Sequence, residues 1–218
     1  MKTNKISIIF FILFSLCAKS QEKTRFVNYK WDLFRAVQGT IQLSREQSIG
    51  EKHTLNIGLM GTYASTRGLA KPYLKAQNFE YKDPSSTVIY GLENVQVLGS
   101  GVNIQLRKYL GKSPVVGSGF YLTPEVFYRF LNLESEVYNS VKSSSETIRR
   151  ALNLGYIGYS LGYQKILREM LSIDSYIGGG FFFSKYDDQS KLTKYRNSYQ
   201  VDYTGFYLNM GILIGIVR

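Results

Sequence analysis

The chemistry open to this chain is limited first by what it lacks. Among 218 residues there is one histidine, His53, and one cysteine, Cys17. A histidine-rich metal centre or a Cys–His nucleophile pair therefore has almost no raw material. His53 stands beside the short polar segment Gln47–Glu51, with Ser44 and Glu51 close in sequence. Serine, histidine and a carboxylate are the parts of an acyl-transfer array, in which the imidazole takes the hydroxyl proton. A solvated histidine near a turn uses the same residues without chemistry, and that is the reading adopted. Asp187-Asp188 offers two carboxylates to a divalent ion but no further fixed donor. Gly178-Gly179-Gly180 lacks the Lys-Ser/Thr of a phosphate loop and marks close approach or bending in a strand. No catalytic, cofactor-binding or metal-binding residue is assigned.

The first twenty residues read as an address. Lys2 and Lys5 flank the start of an apolar stretch, Ile6 to Leu16, followed by Ala18-Lys19-Ser20 before Gln21. A charged start, a short apolar run and small residues at a cleavage point are the parts of a secretory signal. The run has roughly half the ~20 residues of a spanning helix. Cys17 suggests a lipoprotein, but Leu16 before it is too bulky for that cleavage. Removal of residues 1–20 takes Lys2, Lys5, Lys19 and the sole cysteine, which lowers the net charge from +11 to +8. Residues 21–218 then form one domain without thiol or disulfide chemistry.

Beyond residue 20 no apolar run is long enough for a spanning helix, and the pattern is alternation with period two. Val27, Tyr29, Trp31 and Leu33 oppose Asn28, Lys30 and Asp32. Val37, Gly39, Ile41 and Leu43 oppose Gln38, Thr40, Gln42 and Ser44. Leu55, Ile57 and Leu59 oppose Thr54, Asn56 and Gly58, and Val102, Ile104 and Leu106 oppose Asn103, Gln105 and Arg107. Phe120, Leu122, Val126, Tyr128 and Phe130 oppose Thr123, Glu125 and Arg129; Ile173 and Ile177 oppose Asp174 and Tyr176. Phe206, Leu208, Met210, Ile212, Ile214 and Ile216 close the series against Tyr207, Asn209 and Gly211. Residues 150–165 are strand-like with no clear phase. Pro124 predicts a bulge, since it cannot donate to a ladder, and Phe127 takes the polar parity.

Tight turns near Gln47–Glu51, Gly111–Pro114 and Leu167–Glu169 alternate with long polar connections at Thr66–Asn94, Glu136–Glu146 and Asp187–Ser198. Outer-membrane barrels alternate short and long connections in this way. Seven strands follow Gln38; Arg25–Leu33, with a tight turn at Phe34–Val37, supplies the eighth needed to bring both ends to one side. The sequence therefore predicts an all-β, eight-stranded antiparallel up-and-down transmembrane β-barrel. A spanning sheet must close, because an open edge leaves unpaired N–H and C=O groups in hydrocarbon.

With the apolar set outside, an eight-stranded lumen is narrow enough for side chains to fill. Lys30, Asp32, Glu46, Arg107, Glu125, Arg129 and Asp174 would share it, three cations against four carboxylates, as a polar network. Glu46 and Asp174 suit a solvated rim equally well. Tyr63, Tyr90, Phe130, Phe183 and Tyr203 are candidates for an outer aromatic rim, Tyr163 for the opposite one. Lys108 takes the outward parity beside a turn, where its head can snorkel.

A signal segment, alternating strands, connections of alternating length and the apolar closing strand Gly205–Val217 resemble the small outer-membrane β-barrel proteins of Gram-negative bacteria. The segment Asn28–Glu46, with Y-K-W-D-L followed by T-I-Q-L-S-R-E, is similar to the opening hairpin of that group's uncharacterised members. The resemblance covers most of the chain after the signal and brings no catalytic motif. It implies the cell outer membrane, folding by the barrel-assembly machinery, contact with outer-membrane lipid and a non-enzymatic structural or surface-interaction role. Arg218 departs from the group's terminal aromatic. Lys191, Lys194 and Arg196 are placed to meet lipopolysaccharide; scattered cations on an exported chain do not indicate nucleic acid. Two alternatives remain open: an outer-membrane lipid hydrolase using His53, and a soluble exported lipocalin-like barrel holding an apolar ligand.

Overall fold

The computed structural model describes residues 26–66, 68, 70–77, 80–82, 89–91, 93–111, 116–139, 144–168, 170–188, 192 and 201–218. The signal reading of residues 1–20 lies outside them. In chain order the elements are β1 (Val27–Asp32), α1 (Leu33–Val37), β2 (Thr40–Ser48), β3 (His53–Ser65), α2 (Lys71–Lys75), β4 (Glu80–Lys82), β5 (Ile89–Gly91), β6 (Glu93–Tyr109), β7 (Gly119–Asn139), β8 (Ser144–Leu167), β9 (Leu171–Tyr186) and β10 (Gly205–Val217). Eight of the strands close a barrel in the order β1-β2-β3-β6-β7-β8-β9-β10, each antiparallel to its neighbours; β4 and β5 form a separate hairpin. The up-and-down barrel anticipated from the alternation is the observed fold. Its seam pairs Asn28–Asp32 with Leu213–Val217. Arg218 extends it by two backbone hydrogen bonds with Val27, of 2.8 and 3.2 Å.

The apolar set of the alternation lies outside. On β9, Leu171, Ile173, Ile177, Phe181 and Phe183 are exposed, while Asp174, Tyr176 and Phe182 are buried. At ~3.3 Å per residue and ~45° tilt this outward run is about 28 Å tall. On β7 the outward series from Phe120 to Phe130 turns polar at Asn132, Glu134 and Glu136. The inward series inverts at the same level, from Thr123 and Glu125 to Leu131 and Leu133. Leu131, Leu133, Leu152, Leu154, Val95, Val97, Ala64, Leu74 and Tyr203 form an apolar core inside this loop end. One strand thus carries polar-in, apolar-out order along most of its length and the order of a water-soluble protein at its tip.

Several sequence expectations change. The expected turn at Phe34–Val37 is one turn of helix, started because Asp32 is its N-cap and accepts the Arg35 N–H at 3.0 Å. It ends at Gly39, whose φ of +75° and 2.7 Å approach of a would-be Cβ to Ala64 admit no side chain. The long connection expected at Glu136–Glu146 is largely ladder, since β7 and β8 stay paired to Asn139 and Ser144. Between β6 and β7 the connection runs from Tyr109 to Gly119, longer than the turn expected at Gly111–Pro114, most of which lies outside the described residues.

Pro124 makes no bulge. Its ladder with β8 is continuous, and on the β6 side pairing lapses between Gln105↔Glu125 and Lys108↔Leu122 with register kept; the register shift falls at Glu93/Gln96. Tyr203 is 3% exposed and belongs to the core, not to a rim, and no side chain of Tyr90 is described.

Residues 150–165 had no legible phase because glycines stand where inward side chains would be. Leu152, Leu154, Tyr156, Ser160 and Gln164 point inward, and a Cβ at Gly162 would lie 2.2 Å from the Tyr121 ring. Tyr121 cannot retreat, because its hydroxyl donates to Asp174 at 2.6 Å. Gly162→Ala is expected to cost about 1–3 kcal/mol through overpacking, read as a lowered urea midpoint of the folded barrel. Gly61→Ala, where a Cβ meets nothing within 4 Å, serves as the control. Gly178 and Gly180 face the lumen, where a Cβ would come within 2.2 Å of Ser160 and 2.3 Å of the Ile157 carbonyl.

Candidate functional site

The lumen holds two groups of charges. Nearer the turn end, Lys30 on β1 reaches Glu46 on β2 at 2.5 Å and Asp174 on β9 at 2.8 Å. Arg107 on β6 reaches Asp174 at 2.6 Å and Glu46 at 3.7 Å. Two cations and two carboxylates from four strands thus alternate around one point, all with fully buried side chains. Hydroxyls and amides complete the shell. Thr54 and Tyr109 donate to Glu46 at 2.5 and 2.8 Å. Gln105 accepts from Arg107 at 2.6 and 3.0 Å, and Gln164 accepts from Lys30. Glu46 and Asp174 are buried and paired, so the solvated-rim alternative does not apply to them. Burying four charges is tolerable because each faces an opposite one and is hydrogen-bonded.

Closer to the loop end stand Asp32, Arg35, Glu125 and Arg129. Arg35 lies 3.6 Å from Asp32 and 4.0 Å from Glu125, beyond hydrogen-bond reach. Glu125 accepts instead from Asn103 at 2.5 Å and Asn209 at 2.8 Å. Arg129 donates to Thr40 and Thr62, both at 2.8 Å, and among the described residues no carboxylate comes within ion-pair distance of it. Arg35 Nε and NH2 and Arg129 Nε are buried without a hydrogen-bond partner. Arg35 was not legible as a lumen residue because its segment reads as a turn; the Asp-x-x-Arg spacing from the N-cap Asp32 is the signal. Gln105, Gln164, Asn103, Asn209, Tyr109 and Tyr121 were also missed as network members, although each sits on the inward parity of its strand.

Above these charges lies a cavity of about 700 Å³, walled by Phe127, Leu154 and Phe182, with Arg35 and Arg129 on its lining and α2 with Tyr203 over it. Burial pushes the Tyr73 hydroxyl, at its rim, up to about 12, against the pull of Arg129. Tyr73 therefore meets the cavity as a neutral phenol.

The other candidates do not assemble. His53 is exposed on the outer parity and pairs with Lys108, while Ser44 is buried on the inward parity and pairs with Gly58. The two side chains are on opposite faces of the sheet. Asp188 is held by Arg150 through two hydrogen bonds of 2.9 Å, and Asp187 accepts backbone N–H groups of Ala151 and Asp188. Among the described residues no cluster of metal-ligating side chains occurs. Lys191, Lys194 and Arg196 lie outside the described residues.

No family model matches the chain, and no curated protein is similar to it in sequence. One solved structure similar to it is the N-terminal β-barrel domain of Pseudomonas aeruginosa OprF. It is 12% identical, over 89% of this chain and 96% of that one, with a TM-score of 0.32. The fold assignment rests on the closed ladder of this chain itself, and so does everything argued from it.

Proposed function

We propose that the chain is an integral outer-membrane barrel without enzymatic activity, its loop end displayed outside the cell and its turn end in the periplasm. The observation that carries this reading is the polarity of the wall. An outward apolar band about 25 Å tall is what a bilayer demands of a barrel, and a lumen filled with paired charges is what it permits. The inversion on β7 between Phe130 and Asn132 then marks the outer membrane surface. Outer-membrane lipid is the partner of the band, and the barrel-assembly machinery inserts it. The lipocalin-like alternative needs an apolar lumen, and the quartet Lys30, Glu46, Arg107 and Asp174 occupies that space. Lys191, Lys194 and Arg196 remain the groups proposed to meet lipopolysaccharide.

With the lumen crossed by this quartet the barrel serves as a wall and a display surface, not as a general pore. The test is expression of the signal-bearing chain in a Gram-negative host, followed by fractionation. The expected product is in the outer-membrane fraction, extracts only with detergent, and migrates differently on a denaturing gel before and after boiling. Recovery in the soluble periplasm without detergent would overturn the reading.

A further inference from the structure

The seam of the barrel is incomplete at its loop end. β1 pairs with β10 only over Leu213–Val217, so among the described residues 205–212 of β10 are laddered on one side alone, to β9. On β2, residues 40–42 likewise pair only with β3. The space between holds α1, which packs against β10 without continuing the sheet. A strand edge open within hydrocarbon is costly, since its N–H and C=O groups have no water to satisfy them.

The 700 Å³ cavity lies at this edge. Phe206, Leu208 and Met210, from the outer face of β10, line it together with Tyr207 and Asn209 from the inner face. Both faces of one strand border the same space only where no strand lies beside it, so the cavity reaches from the inner to the outer face of the wall beside α1, whose Phe34 and Arg35 also line it. Arg35 and Arg129 line it and neither Asp32 nor Glu125 does. Its volume falls in the ~300–1,000 Å³ range of small-molecule sites, and apolar walls with a few convergent polar groups are their usual lining.

We infer that this gap is a lateral binding site for a single-chain amphiphile with an anionic head, entering from the outer leaflet with its acyl chain along Phe127, Phe182 and Phe206 and its head at Arg129 and Arg35. The acyl chain covers the apolar wall at the open edge. The anion supplies the hydrogen-bond acceptor that Arg35 Nε and NH2 and Arg129 Nε lack. The inference rests on the membrane reading above.

The test uses the full barrel folded in nonionic detergent, with the unboiled gel band reporting folding. The probes are palmitate labelled with ¹³C at its carboxyl, hexadecanol as the chain without the charge, and acetate and inorganic phosphate as soluble anions without the chain. Palmitate is expected to bind saturably at one per folded barrel, with a carboxyl resonance distinct from that in empty micelles. Loss of a charge-assisted hydrogen bond predicts binding roughly tenfold or more weaker for hexadecanol and for Arg129→Gln, while Arg129→Lys retains most of it. Acetate and phosphate should not compete.

Palmitate that only partitions as into empty micelles, or binds Arg129→Gln equally well, overturns the site. Competition by acetate or phosphate would make it an aqueous anion site and overturn the acyl-chain assignment. If Arg129→Gln does not fold, hexadecanol against palmitate on the unaltered protein decides alone. A barrel that stays in the outer-membrane fraction yet binds no palmitate removes this inference and leaves the membrane reading standing.

Discussion

Replacing Arg107 with alanine is expected to destabilise the detergent-folded barrel by about 3–5 kcal/mol, the usual cost of deleting one partner from a buried charge pair. Arg107 touches Asp174 at 2.6 Å and Glu46 at 3.7 Å, and it stacks 4.4 Å over the Tyr121 ring. Without it, Lys30 alone would balance two carboxylates in a space closed to water. Reversible unfolding in urea, followed by the heat-shifted band and by tyrosine fluorescence, measures the loss. The contrast is the fourfold replacement of Lys30, Glu46, Arg107 and Asp174 by apolar residues of similar volume. Buried ionic groups replaced together by well-packed apolar ones often leave stability equal or higher. A mild Arg107→Ala phenotype would mean that water reaches the quartet and that the lumen is not sealed there.

The second large effect concerns the outer face. Val126 and Asn132 both point outward from β7, three turns of the alternation apart, and Val126 is 50% exposed. If the band lies in lipid, Val126→Arg sits deep within it and is expected to cost about 2–4 kcal/mol. Asn132→Arg, beyond the band, is expected to cost about 0–1. The measurement is the folding free energy of each variant into lipid vesicles. Equal, small costs at both positions would contradict a bilayer around residue 126. In a water-soluble barrel an arginine at an exposed strand position changes stability within about ±0.5 kcal/mol, so the two environments give different results at the same residue.

Much of the wall was legible because period-two alternation needs only residue types. Lys30, Asp32, Arg107 and Glu125 could be assigned to the lumen from parity, which left Glu46 and Asp174 equally suited to a solvated rim, and the closing strand Gly205–Val217 has the bounds read from the sequence. What could not be read depended on contacts between distant segments. Gly158 and Gly162 erased the phase of β8, since the residues filling their places, Tyr156 and Tyr121, are identifiable only in three dimensions. Glu46 and Asp174 share Lys30 and Arg107 because only β10 and β1 stand between β9 and β2 in the closed ring, a juxtaposition no spacing encodes. The cavity was least visible of all. It arises from β1 stopping at Asp32 while β10 runs on, and a strand's end is set by its neighbour as much as by its own residues. The segment Phe34–Val37 kept the alternating look of a strand or turn although Asp32 caps a helix there.

The shortness of β1 also bears on how the molecule is assembled. Five residue pairs join β1 to each neighbour, while β7 and β8 share a ladder from Gly119↔Gln164 to Asn139↔Ser144. Seven of the eight junctions, from β3–β6 to β9–β10 with β1–β2 and β2–β3, form between strands adjacent along the chain apart from the insertion before β6. The β1–β10 junction alone joins the first strand made to the last, and contacts between such remote segments are slow to form. Most of the ring can therefore zip up strand by strand as an open ribbon. The least extensive clasp must wait for the end of the chain, so the same few residues that leave a window in the finished wall also decide when it becomes a ring.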